Sequence, residues 1–422
     1  MADAAAPASH RRILFASLVG TSVEFYDFYI YATATALVFG PLFFPAQEPW
    51  LQQFAAYASF SVAFFARPLG GLVFGHFGDR LGRKSTLVAS LMLMGISTVL
   101  IGCLPSHAMI GWVAPLLLCL LRFGQGLGLG GEWGGASLLA VEYAPTGWAY
   151  RYGSFPPLGA PVGFIAANGL FLLLGAFLDD AAFRDWGWRL PFLASAGLVA
   201  LGLWVRLSIA ETPAFAEAAK HAPPPQVPLG VLVRSHLGPT LAGTLGTIAC
   251  FALFYVATLF AIGFGTKTLG YPRGAFLGVE LGAILFMALG IGAAGWLADK
   301  RGPGLALALG CMAMVPLGLA MPVLLVPGAL GAVFVWLVAG LFVMGFVYGP
   351  LGGWLPSLFP AQVRYTGVSV TFNLGGILGG GLTPLIAETL VQHSGIGMVG
   401  WYLAGAAGVS LIGLWLTRCS TR

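Results

Sequence analysis

Only 8% of the 422 residues carry a charge, so a charge inside a long apolar stretch needs a chemical reason. Glu24 and Asp27 lie three apart in VEFYDFYIY, on one face of any helix built there. Arg122 and Gln125 stand in the same relation in LLRFGQGLG, and Arg67, Glu132 and Glu280 complete the set. Removing such groups from water costs several kcal/mol unless they face a cavity or a partner. A carboxylate so placed can take up and release a proton. An arginine presents a planar donor fork matched to a carboxylate. Proton exchange and anion capture are therefore the chemistry these residues can do. The alternative is that they hold helices together by satisfying one another.

The elements that must position them are membrane helices. The mean hydropathy is +0.88 and 58% of residues are apolar, against about 25% charged in soluble domains. Apolar segments fall at 13–42, 51–76, 85–104, 109–140, 152–178, 188–209, 237–266, 274–298, 303–322, 326–355, 365–391 and 397–417, each near the roughly 20 residues that a bilayer requires. The first run is too long and too acidic for a cleaved signal and reads as an uncleaved helix. Twelve spans put both termini on one side. Fourteen of the 20 Lys and Arg residues then lie on the side of the termini and four on the other, which places the termini in the cytoplasm.

Residues 210–236, rich in Pro and polar groups, separate six spans from six, giving a bundle over 1–209, a cytoplasmic linker and a bundle over 237–422. The halves echo each other. GWLADKRG, containing Asp299 and Arg301, repeats GHFGDRLGRK, containing Asp79, Arg80, Arg83 and Lys84; Arg151-Tyr152-Gly153 and Arg364-Tyr365-Thr366-Gly367 open the fifth span of each half. The five cysteines form no CxxC pair, and neither a disulfide framework nor a metal site is expected. The G-x-G-x-x-G at Gly126, Gly128 and Gly131 has no strand before it; small residues there suit close helix packing, not a nucleotide.

GHFGDRLGRK resembles the loop between the second and third helices of the major facilitator superfamily. GTSVEFYDFYIY, FFARPLGGLVFGHFGDRLGRK, GGEWGGASLLAVEYAP, WGWRLPF and LFPAQVRYTGVSVTFNLGGILGGG resemble its metabolite:proton symporter branch, whose members include permeases for shikimate, keto acids, aromatic acids and proline or betaine. Pro157 and Ser357 depart from that pattern, standing where a glutamine and an acidic residue are common.

The resemblance implies an all-α membrane protein: twelve transmembrane helices in two pseudo-symmetric six-helix bundles, with the first, fourth, seventh and tenth helices lining a central cavity. It implies a transporter and not an enzyme, set in a bacterial inner membrane and acting as a monomer without cofactor, metal or nucleic acid. A proton gradient would drive it. The expected substrate is a small organic anion held by Arg122 and Gln125, with Tyr255, Tyr348 and Asn373 as further contacts. Asp27, Glu24 and Glu132 are the expected proton-coupling residues, an ionised Asp27 or Glu24 pairing with Arg122 until protonation releases it. Asp79, Arg80, Arg83, Lys84, Asp299, Arg301, Glu142, Arg151 and Arg364 are the expected gate. Zwitterion uptake, and export or exchange, stand as alternatives.

Overall fold

The computed structural model describes residues 10–81, 83–130, 132–208, 228–361 and 363–420. Twelve helical tracks run through them: α1 (10–43), α2 (Pro49–Leu81), α3 (Arg83–Gly102), α4 (Val113–Leu129, resumed as Glu132–Glu142), α5 (Ala149–Phe177), α6 (Leu190–Ser208), α7 (Leu237–Thr268), α8 (Arg273–Arg301), α9 (Pro303–Leu319), α10 (Leu330–Ser357), α11 (Arg364–Ser394) and α12 (Ile396–Ser420). Seven are long and apolar enough to cross a bilayer by composition alone, and α3, α4 and α9 contribute shorter apolar stretches. Residues 210–227 of the expected linker lie outside the described residues, and its remainder includes a short helix, Pro228–Ser235.

Helix is the only secondary structure open to a lipid-immersed single segment, because it satisfies its own backbone groups. Loops are tight, and Gly302 (φ 87°) and Gly395 (φ 80°) turn the chain between α8 and α9 and between α11 and α12 in a conformation that strains any other residue. Departures from regular helix are confined to the inner tracks. π-helical turns occur at Thr35–Phe39 in α1, at Val256–Phe260 and Phe264–Thr268 in α7, and at Ile377–Gly381 in α11.

Packing repeats between the halves. α1 lies on α5 as α7 lies on α11, α2 on α4 as α8 on α10, and α3 on α6 as α9 on α12; α5 then meets α8, and α2 meets α11, across the pseudo-two-fold. The same glycines make the same crossings. Gly70 and Gly126 let α2 and α4 touch backbone to backbone, as Gly290 and Gly345 do for α8 and α10. Large apolar side chains such as Trp112, Phe177, Trp204, Trp401 and Trp415 stay exposed around the outside, where lipid tails cover them.

A Cβ on Gly345 would overlap the Met287 carbonyl, whereas one on Gly292 meets nothing within 4 Å. Gly345→Ala is accordingly expected to cost about 1–3 kcal/mol through overpacking, and Gly292→Ala to leave the thermal midpoint of the detergent-purified protein unchanged or raised. Tryptophan fluorescence on heating checks both.

Candidate functional site

Between the two halves lies a cavity. Its lining comes from α1, α4, α7 and α10, with additions from α2, α5 and α11. The spacing on α1 explains its contribution: Glu24, Phe25, Phe28 and Tyr29 share one helical face and all reach the cavity. Asp27 belongs to the edge of that face and turns away. It is 1% exposed, accepts from Ser195 Oγ on α6 at 2.5 Å, and has Thr98 Oγ1 of α3 at 3.4 Å.

Arg122 and Gln125 are also placed differently from expectation. Neither lines the cavity, which meets α4 only from Leu129 onward. Arg122 is fully buried. Its guanidinium carbon sits 4.0 Å from the Tyr31 ring centre, 4.5 Å from Phe28 and 4.8 Å from Phe60. Its Nη1 donates to Gln125 Oε1 at 2.9 Å, and Gln125 Nε2 donates to Thr98 Oγ1 at 2.8 Å. The expected Asp27–Arg122 ion pair is therefore replaced by a chain running Asp27, Thr98, Gln125, Arg122. The reason is position: Asp27 and Arg122 each face neighbours within the N-terminal half, and two intervening side chains fill the gap.

The cavity cation is Arg67, which the sequence reading noted as an intramembrane charge without assigning it a ligand role. Its guanidinium carbon lies 4.6 Å from both the Phe28 and Phe64 ring centres, and its Nε has no hydrogen-bond partner. Two more lining groups are left over in the same way: the hydroxyls of Tyr29 and Ser369 are buried without a partner. Phe251, Phe254, Tyr255, Tyr348 and Phe372 supply the apolar wall. Tyr255 and Tyr348 thus fall where they were expected. Asn373 reaches the cavity as well, and its Nδ2 donates at 2.9 Å to the Gly130 carbonyl across the interface between the halves, where α4 breaks. Glu280 stands apart in α8, fully buried, with neither carboxylate oxygen hydrogen-bonded.

Contacts between the halves lie on both sides of this space. On the side of the termini, Asp299 Oδ2 accepts from Arg151 Nε at 2.7 Å, and Asp299 also takes the Tyr150 and Arg151 backbone N–H groups at 2.9 and 3.3 Å. A carboxylate thus caps the positive end of α5 as well as pairing with a guanidinium. Ser154 Oγ donates to the Gly349 carbonyl at 3.0 Å, and Gly153 lies against Gly352. Arg364 Nε donates to the Phe359 carbonyl of its own half, and Glu142 and Arg301 are exposed. The side chains of Asp79, Arg80, Arg83, Lys84 and Glu132 lie outside the described residues. On the opposite side Lys267 Nζ of α7 donates to Gln53 Oε1 of α2, Ser61 Oγ donates to the Gly381 carbonyl at 2.5 Å, and Trp50 meets His393 edge-on at 6.2 Å. Lys267 is one of the four basic residues that the sequence places on the side away from the termini, just past the apolar segment 237–266, and its spacing alone does not reveal this contact.

The family model described as "Sugar (and other) transporter" matches residues 13–222. The chain is 49% identical to the inner membrane metabolite transport protein YhjE of Escherichia coli, over 97% of this chain and 94% of that one. It is 37% identical to the shikimate transporter of the same organism, over 91% and 88%. The chain belongs to the major facilitator superfamily. Within it, this protein is a relative of metabolite transport proteins, a multi-pass membrane transporter and not an enzyme. In fold it is similar to the E. coli xylose transporter XylE in a partially occluded, inward-open conformation, with a TM-score of 0.73, 14% identity, and 96% and 97% of the two chains covered.

Cys250 lines the transporter's cavity and is 1% exposed, so it reports on both closures. Asp299→Asn is expected to raise alkylation of Cys250 several-fold for a reagent supplied from the side of the termini, and Lys267→Gln from the opposite side. Site-resolved mass spectrometry of oriented vesicles reads both.

Proposed function

We propose that the transporter carries a small organic anion together with a proton into the cell across the bacterial inner membrane, with its termini in the cytoplasm, as a monomer without a cofactor. One observation carries the choice of substrate. Arg67 Nε and the Tyr29 and Ser369 hydroxyls are all donors, all line one cavity and all lack an acceptor. Buried donors left unpaired cost about 1–3 kcal/mol each, and a substrate carboxylate supplies the acceptors. The aromatic wall accommodates the apolar body of the same molecule.

Glu24 lines this cavity with Arg67, and that proximity supports the coupling. With the cavity empty, an ionised Glu24 offsets the Arg67 charge. Protonation of Glu24 from the outer side leaves Arg67 to the substrate carboxylate, so proton and anion enter together and the site crosses the membrane near neutral. Release of both on the cytoplasmic side restores the starting charges. Asp27, linked to Arg122 through Thr98 and Gln125, is the second candidate carrier, acting on the guanidinium through that chain. In alternating access, Asp299–Arg151 and Lys267–Gln53 open in turn.

Uptake of labelled carboxylates, proline and glycine betaine into proteoliposomes, with and without an inward proton gradient, tests the reading. Gradient-driven accumulation of a carboxylate is expected, and Arg67→Gln should lower it at least about 100-fold, in keeping with loss of a charged hydrogen bond and its buried partner. Glu24→Gln should abolish accumulation while leaving exchange. Loss of accumulation in Asp27→Asn alone would move the coupling to the buried chain. Betaine uptake, or uptake blind to the gradient, would overturn the proposal.

A further inference from the structure

Phe28 is touched by two cations. The guanidinium carbon of Arg67 lies 4.6 Å from its ring centre and that of Arg122 4.5 Å, so the sum of these distances, 9.1 Å, bounds the separation of the two charges. Arg67 is in the cavity and Arg122 is not. Of the three rings around Arg122, only Phe28 lines the cavity; Tyr31 and Phe60 do not.

Arg122 is fully buried and its Nη2 has no hydrogen-bond partner. Among the described residues no carboxylate is hydrogen-bonded to it: Asp27 is reached through Gln125 and Thr98. Ring faces compensate part of such a charge, but a buried donor of a cation is costly to leave without an acceptor. The protein thus holds a second anion-binding group one aromatic ring away from the first. Phe60, Phe64, Tyr255 and Tyr29 pack edge-on against the ring at 5.1, 5.5, 6.2 and 6.4 Å, and the ring also lines the cavity.

We propose that Phe28 sets how many carboxylates the cavity accepts, by screening Arg122 so that one guanidinium, and not two, faces the substrate. The inference rests on the carboxylate reading of this cavity. With the ring in place a single carboxylate is bound by Arg67, and a second carboxylate on the same molecule would meet an aromatic wall, unpaired. Without the ring, Arg67 and Arg122 form a two-cation site of the span a short dicarboxylate needs.

The test is competition against uptake of the labelled monocarboxylate that the proteoliposome panel identifies, using matched pairs: butyrate with succinate, and benzoate with phthalate. The readout is the ratio of half-inhibitory concentrations within each pair. The wild-type protein should favour the monocarboxylate, and Phe28→Ala should shift the ratio toward the dicarboxylate by at least about tenfold, equivalent to one added charged contact. Phe28→Val, a smaller truncation, should shift it in the same direction by less, and serves if the alanine variant does not elute as a single species. Adding Arg122→Gln to either variant should cancel the shift. A ratio unchanged by both truncations, or a shift that survives Arg122→Gln, overturns the role of Phe28. Wild-type protein that takes up no carboxylate overturns the reading beneath it as well, and so separates the two failures.

Discussion

A charge enclosed in hydrocarbon must be answered by another polar group, and this single cost organises the interior. The chain keeps few charges inside the membrane, and most of those described are answered locally: Asp27 by Ser195, Arg122 by Gln125 and three aromatic rings, Asp299 by Arg151 and two backbone amides. Where the answer is missing, some leftover groups face the cavity, as Arg67, Tyr29 and Ser369 do, and others, such as Arg122 Nη2, the Tyr57 hydroxyl, Trp188 Nε1 and the Glu280 carboxylate, lie away from it. The cavity-facing donors mark a place where something other than protein can complete the structure.

The same cost explains how the two faces close. Each closure joins elements of different halves with few polar contacts, backed by glycines that bring backbones together. On the side of the termini the partners are a carboxylate, a guanidinium and the first amides of α5. On the opposite side they are an ammonium and an uncharged amide, Lys267 and Gln53. Both hydrogen bonds are charge-assisted, and they differ in partner, a carboxylate on one side and an amide on the other, although the halves are repeats. The π-helical turns of α7 and α11 lie beside the second closure, where Gly263 meets Tyr57 and Gly381 accepts from Ser61. Helices interrupted in this way bend at less cost than regular ones.

Membership of a broad transporter superfamily fixes the architecture and leaves the cargo to individual side chains. In this chain the groups proposed to select it sit on adjacent turns of α1 and on its neighbour α2: Glu24, Phe28 and Tyr29 on one, Arg67 on the other. They converge because α1 presents a single face to the cavity. That face is mostly aromatic, so the polar groups it carries act in surroundings that exclude water, where each hydrogen bond to substrate counts for more than it would at the surface.

Composition and pattern by themselves determined that the chain is a membrane protein, that it consists of two related halves, and that intramembrane charges form the shortlist of functional groups, while the resemblance of its motifs pointed to a transporter superfamily. These follow from periodicity, charge balance and repeated strings, which are local properties. The partner of each charge was decided only by tertiary structure. Asp27 and Glu24 are three apart on one helix, yet a rotation of about 60° between them sends one to α6 and the other into the cavity. Arg122 and Arg67 are both arginines in apolar segments, and only the packing of α1 against α2 and α4 sets both against Phe28 and brings the second, not the first, to the cavity. Lys267 reads as an outer-loop cation until α7 is seen beside α2. Sequence spacing states which side chains share a face; which neighbour that face meets depends on how far each helix is rotated in the bundle, and only close packing of all twelve sets that rotation.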